Sequence, residues 1–163
     1  MAKGKRNRKP KQAHNPTQSK NVSQVEDPQN SDRQTVAWRI SSFDYGGPWG
    51  DEALKGYDLQ ELVRSWAHNF ETQKWGELLG AAGGRTAGNN HHPIDVKKLS
   101  KAAQARLEEI HKDDLVDSIF SFRVKGTTRL YGIRDGRVFN TLWFDPWHDD
   151  EKKAVCPSKK RKT

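Results

Sequence analysis

Between Ser118 and His148 the chain reads SIFSFRVKGTTRLYGIRDGRVFNTLWFDPWH, and this stretch limits the possible folds more than any other. Its apolar, aromatic-rich runs are strand-length. Asp135-Gly136 is a two-residue hairpin signal, because a type I′ turn needs positive φ and this pair accepts it. We read the stretch as a three-stranded antiparallel meander. The turn then sets a register. On one side of the sheet Arg134 faces Arg137, Gly132 faces Phe139 and Leu130 faces Thr141. On the other side Ile133 faces Val138, Tyr131 faces Asn140 and Arg129 faces Leu142. Aromatic residues fall on both sides, so the sequence leaves open which side is buried.

Upstream, TVAWRISSFD (35–44) alternates Val36, Trp38 and Ile40 against Ala37, Arg39 and Ser41, the period of a strand. Gly46, Gly47, Pro48 and Gly50 break it. Asp58 is a helix N-cap for a stripe of Leu59, Leu62, Val63, Trp66 and Phe70. A second short helix starts near Thr72 and carries Trp75, Leu78 and Leu79. The run from Gly80 to Pro93 is rich in Gly and Asn and reads as a flexible loop. Val96, Leu99, Ala103, Leu107 and Ile110 then predict a helix over 96–111, capped by Asp95 or Ser100. Strand, helices and a three-stranded meander make an α+β domain, with one antiparallel-rich sheet and the helices packed on one of its faces.

Only 33% of the 163 residues are hydrophobic and mean hydropathy is −1.03, so part of the chain lies outside any core. The net charge of +8 is uneven. Residues 1–33 carry 8 Lys/Arg and 3 Asp/Glu, residues 148–163 carry 6 and 3, and the middle is balanced. The expected organisation is a disordered basic tail over 1–33, a domain over 34–148 and a basic tail over 149–163. Such tails raise non-specific affinity for RNA, DNA or anionic surfaces. MAKGKRNRKPKQAHNPTQSKN has no apolar run and does not read as a secretory signal. No stretch reaches the length of a membrane span. One cysteine, Cys156, excludes an internal disulfide framework, and a cytoplasmic location is expected. The terminal PSKKRKT also matches the pattern of a nuclear import signal.

Three constellations carry chemistry. An Arg134–Arg137 pair across a hairpin is repulsive, and a phosphate between the two relieves it; splaying into water does the same. Arg129 and Tyr131 share a face, with Arg123 and Lys125 on the preceding strand. There Arg stabilises phosphoryl charge, and Tyr stacks on a base or passes a proton. A structural alternative is an arginine stem lying over a core tyrosine. In Asp145-Pro146-Trp147-His148 the histidine is a candidate acid or base, Asp145 its orienting group and Trp147 a stacking platform. The bland alternative is a strand end stopped by Pro146. His91-His92 with His148 and Asp145 is a poor metal set, because adjacent histidines seldom bind one ion and no HExxH or cysteine pair is present. No metal or cofactor is expected. A P-loop and a nucleophile elbow are both missing from the sequence.

The order of elements, with Arg and Tyr on the sheet and His after the last strand, resembles the RelE/ParE-like toxin superfamily. GTTRLYGIRDGRVFNTLWFDPWHD is similar to a bacterial group with the pattern GxxRxxGIR…LWFDPxH, and HHPIDVKKLSKAAQARL and VCPSKK extend the likeness over roughly 35–160. The resemblance implies a small toxin acting on RNA, often a metal-independent endoribonuclease that cuts mRNA on the ribosome and is held in check by an antitoxin. Carried over by position, Arg123, Arg129 and Arg134 hold the phosphate, Tyr131 stacks or shares proton transfer, and His148 is acid or base. Lys125, Arg137 and Trp147 complete the nucleic-acid contact. The C-terminal Arg/His-Tyr arrangement of ribonuclease members is replaced here by Trp-His-Asp. Two alternatives stand beside this reading. One is a non-catalytic module that holds nucleic acid through its basic tails. The other is a toxin-fold protein that inhibits a protein target such as DNA gyrase.

Overall fold

The structure is a computed structural model that describes residues 31–83, 88–112 and 116–157. The basic segments 1–30 and 158–163 lie outside the described residues, as does the Gly84–Arg85 part of the glycine-rich run. The chain forms an α+β fold around one five-stranded mixed sheet. In chain order the elements are β1 (Ala37–Arg39), α1 (Asp51–Leu54), α2 (Leu59–Trp66), a π-helical turn (Ala67–Glu71) and α3 (Trp75–Gly80). The pair β2 (Ala82–Gly83) and β3 (Gly88–Asn89) follows, then β4 (His91–Asp95), a 3₁₀ turn (Val96–Lys98) and α4 (Lys101–Ile110). The long strands β5 (Ser118–Lys125), β6 (Thr128–Asp135) and β7 (Val138–Asp145) come last. The sheet order is β1-β7-β6-β5-β4, with β1 parallel to β7 and every other pair antiparallel.

Local chemistry explains the helix starts. Asp58 Oδ1 accepts from the backbone N–H of Gln60 and Glu61, at 2.8 and 3.2 Å, and so opens α2. Glu77 reaches back to the N–H of Lys74 at the start of α3. The helix expected over 96–111 is divided by the extended backbone of Leu99 and Ser100. Asp95 caps the 3₁₀ turn through Lys97 N–H, and Ser100 caps α4 through Ala103 N–H.

Both faces of the sheet are covered, where the sequence reading places helices on one. On the first, the aromatic face, Ala53, Phe70, Trp75 and Leu78 pack on Phe120, Phe122, Leu130, Phe139 and Phe144. On the second, the α4 face, Leu99, Ala103 and Leu107 pack on Ile119, Tyr131, Leu142 and Trp143. The physical reason is that β5, β6 and β7 present large apolar side chains in both directions. Each fully buried ring or aliphatic chain contributes roughly 1.5–3 kcal/mol, so neither face is left in water.

The β6–β7 register differs from the expected one. Asp135 pairs with Val138 and Arg134 with Phe139, so the two turn residues are Gly136 and Arg137. Gly136 alone takes positive φ, at 55°, which puts glycine first in the turn as in type II′. The expected opposition of Arg134 and Arg137 therefore does not exist. A bulge at Leu142 shifts the register again, so that Tyr131 meets Trp143 and Arg129 meets Asp145. Gly132 sits beside the bulge because a Cβ there would lie 2.3 Å from the Asn140 carbonyl oxygen and 2.6 Å from Phe139 Cζ.

Three boundaries also move. His91–Asp95, expected within a loop, is an edge strand paired with β5, and Pro93 is tolerated because an edge strand has one unpaired side. The first strand is only three residues long, and Ile40, expected on its apolar side, is exposed. The folded unit extends past the expected 34–148. Ser31 is buried, the Asp32 carbonyl accepts from Gly76 N–H at 2.8 Å, and Ala154 and Val155 are buried at the other end. Asp145 causes the second extension. Its Oδ2 accepts from Val155 N–H at 2.9 Å and draws the C-terminal segment onto the sheet.

Candidate functional site

The sheet register brings Arg123 on β5 directly opposite Arg129 on β6. Side chains at paired positions share a face, so the two guanidinium groups lie together on the α4 face. Both donate to one acceptor, the carbonyl of Gly126, from Arg123 Nε at 3.3 Å and from an Arg129 terminal nitrogen at 2.8 Å. Arg123 also donates to Asn90 Oδ1 at 3.0 Å and Arg129 to the Thr128 carbonyl at 3.0 Å. Among the described residues neither is in an ion pair, unlike Arg106 and Arg134. A like-charged pair of this kind repels itself. Burial opposes the charge of Arg129 and lowers its pKa, and the nearby Arg123 adds to the shift while Asp145 and Asp149 counter it.

Beside the pair runs a rung formed by His92 on β4, Ser121 on β5, Tyr131 on β6 and Trp143 on β7. Tyr131 is fully buried among the side chains that pack against α4. Burial, more than any neighbour, pushes its phenol well above the usual range, and the nearby Ser121 hydroxyl and Arg129 charge counter the shift in part. Its hydroxyl also lies 3.4 Å from Nδ1 of His148, which follows β7. Burial lowers the pKa of His148, and the charge of Arg129 lowers it further. This imidazole is therefore neutral at neutral pH.

The expected site residues thus divide into two groups. Arg123, Lys125, Arg129, Tyr131, Trp147 and His148 gather at one end of the sheet. Arg134 and Arg137 lie at the other end of β6, about 17 Å away at ~3.3 Å per residue. Arg134 also projects to the aromatic face. There it pairs with the Asp32 carboxylate, donates to Ser31 Oγ at 3.0 Å and stacks 4.2 Å over the Trp75 ring. This arginine anchors the N-terminal segment and does not join the other two. Arg137 is exposed in the turn, and its carbonyl accepts from Trp75 Nε1 and Ala37 N–H. Full burial of Tyr131 leaves no ring face for a base to stack on, and the same burial keeps its phenol protonated at neutral pH.

Asp145 does not orient His148. It is fully buried, and its carboxylate accepts from the N–H groups of Trp147 and Val155, at 2.7 and 2.9 Å. Burial nevertheless raises its pKa to about 6. Trp147 is half-buried with the Lys153 ammonium 5.5 Å over its ring, so a base stacking on that face displaces the lysine. Lys125 is exposed at the end of β5.

The adjacent histidines separate because a strand sends neighbours to opposite faces. His91 points into the aromatic core against Phe70 and Phe122, where burial holds its pKa down to about 4 and Nδ1 accepts from Arg123 N–H at 3.2 Å. His92 falls on the arginine side. Among the described residues no group of three or more His, Cys, Asp or Glu side chains is placed to hold a metal ion. Sequence reasoning missed Asn90 and His92 as members of the cluster. The alternation of His91 and His92 was the available signal, and reading that segment as a loop concealed it.

Fold and site together define an α+β protein with an arginine–histidine cluster at one end of a mixed sheet. Comparison with protein-family models, with curated proteins and with solved structures finds no match.

Proposed function

We propose that this chain acts on RNA, seating a backbone phosphate between Arg123 and Arg129. One observation carries the proposal: two guanidinium groups share the Gly126 carbonyl, have no carboxylate in contact, and lie beside a histidine that is neutral at pH 7. Two arginines at this spacing suit the oxygens of a phosphodiester, and a bound anion relieves their repulsion. The reading agrees with the RelE-like interpretation, in which the β5–β6–β7 meander carries a metal-independent endoribonuclease site. Ribosomal mRNA as substrate and an antitoxin as partner belong to the same proposal.

The chemistry follows from the tautomer. In the tautomer with its proton on Nδ1, His148 donates to the Tyr131 oxygen. Nε2 then carries the lone pair and takes the proton from a ribose 2′-OH. The 2′ oxygen attacks the adjacent phosphorus, the arginines stabilise the added negative charge, and the 5′ oxygen leaves with a proton from water. Tyr131 acts here as a positioning residue.

The test uses the full-length protein with end-labelled RNA, free and on translating ribosomes. We expect products ending in 2′,3′-cyclic phosphate. His148→Ala should lower the rate about 10²–10⁴-fold, and Arg129→Ala about 10²–10³-fold, with melting temperature retained. Full activity in both variants overturns the site.

A second reading has its own support. Asp145 is engaged with backbone and Arg134 with Asp32, which leaves a smaller polar set than a nuclease of this type was expected to carry. In that reading the protein holds RNA without cutting it, with the basic tails contributing. Tail engagement of roughly six phosphates gives a log–log salt slope of about −4 on single strands. Tight, salt-sensitive binding with no cleavage selects this reading. Cellular arrest with intact RNA selects a protein target.

A further inference from the structure

A pocket of about 550 Å³ opens on the aromatic face, away from the arginine cluster, between β1, α1, α2 and the loop that follows β1. Its size lies within the range of small-molecule sites. Five aromatic side chains line it: Trp38, Phe43, Tyr45, Tyr57 and Trp66. Core rings hold several of these in place. Trp38 meets Phe139 edge-on at 5.0 Å, and Tyr57 meets Phe144 edge-on at 5.0 Å. The walls are therefore largely formed before any ligand arrives.

A further observation marks the pocket as built for an occupant. Ile40, Tyr45 and Tyr57 are the large hydrophobic side chains left exposed among the described residues, at 47%, 54% and 42%, and all three line this one pocket. Scattered exposed apolar residues need no explanation, whereas a concentration of them around a concavity does.

Charge narrows the ligand class. The lining includes the exposed carboxylates of Asp51 and Glu71, neither of which is in an ion pair among the described residues. Among the described lining residues the cation is Lys55, which is already paired with Glu52. Ring faces attract cations through their quadrupoles, and carboxylates at the rim reinforce that attraction. We infer that this pocket binds an organic ammonium ion whose aromatic or alkyl body fills the cavity and whose charge rests among the ring faces beside Asp51 and Glu71. The inference is independent of any action on RNA, because it uses the opposite face of the sheet.

The experiment uses the full-length ¹⁵N-labelled chain and two probes of equal shape. These are benzyltrimethylammonium and neopentylbenzene, in which carbon replaces the charged nitrogen. Binding is followed through the indole N–H resonances of Trp38 and Trp66. The ammonium probe should shift both resonances and bind roughly 5-fold or more tightly than its neutral counterpart. Asp51→Asn combined with Glu71→Gln changes two exposed side chains and leaves the core intact. It should weaken that preference while neopentylbenzene binds as before. Equal or tighter binding of the neutral probe overturns the cation assignment. A preference left unchanged by the double substitution removes the carboxylates from it, and no shift with millimolar benzyltrimethylammonium removes the site.

Discussion

The side chains of His91 and Asp145 lie in different parts of the fold and bear on stability with opposite signs. Burial holds His91 near 4, below its ordinary 6.5. It favours folding fully above pH 6.5, and that contribution is lost as pH falls towards 4. Burial raises Asp145 from 3.8 to about 6, so its contribution is complete below pH 3.8 and is lost as pH rises towards 6. Across pH 4–6 the two offset one another. His91→Asn keeps an acceptor for Arg123 N–H and removes one of them. The variant should lose stability as pH rises from 4 to 6 while the parent stays nearly level, as read from urea midpoints. A parallel pair of curves would sink this account. His148 supplies a second pH test. On the proposed mechanism, its lowered pKa predicts that cleavage of RNA holds its rate down to pH 6.5 and declines only in more acid solution. An acidic limb centred above 6.5 would contradict it. Neither residue's setting was legible beforehand, because burial is fixed by which strand lies next to which.

At the scale of elements, α2 and the long strands were written in local pattern, whereas α1 was not expected and the helix expected over 96–111 is divided. Asp58 with the stripe Leu59, Leu62 and Trp66 sufficed for α2, and apolar runs sufficed for β5, β6 and β7. Register was not. A one-residue change in which position takes positive φ moved Arg134 from a repulsive partner to Phe139, and the bulge at Leu142 then set Arg129 against Asp145. The paired arginines do exist, on β5 and β6 instead of across the β6–β7 turn. Strand β4 was hidden because His-His-Pro lacks strand propensity and owes its conformation to pairing with β5. Gly132 is the element-level weak point. Gly132→Ala forces a methyl group against the Asn140 carbonyl and the Phe139 ring, and should cost about 2–3 kcal/mol. Calorimetry should show a lowered melting temperature, and an unchanged one would mean that β6 and β7 separate easily at this point. Arg106 makes a corresponding tie, donating to both oxygens of the buried Asp44 at 2.8 and 2.5 Å and fixing α4 to the loop after β1.

For the whole molecule, the limits of the folded unit follow from two contacts between distant segments. Asp32 binds Arg134, and Val155 N–H binds Asp145. A chain shortened to residues 34–148 loses both and should melt well below one that keeps 31–157. Losing the Val155 contact alone leaves a buried carboxylate short of a donor, at about 1–3 kcal/mol. Equal melting curves would show that these ends do not contribute. The parallel pairing of β1 with β7 has a consequence for how the protein is made. Arg39 and its partner Asn140 are 101 residues apart, and the walls of the aromatic pocket come from both strands. A polypeptide still threaded through the ribosome has not yet released its last strand, so β1 waits without a neighbour. Premature termination before residue 138 leaves β1 permanently unpaired and yields a fragment with neither the pocket nor His148. Completion of the sheet is thereby tied to completion of the chain's own translation.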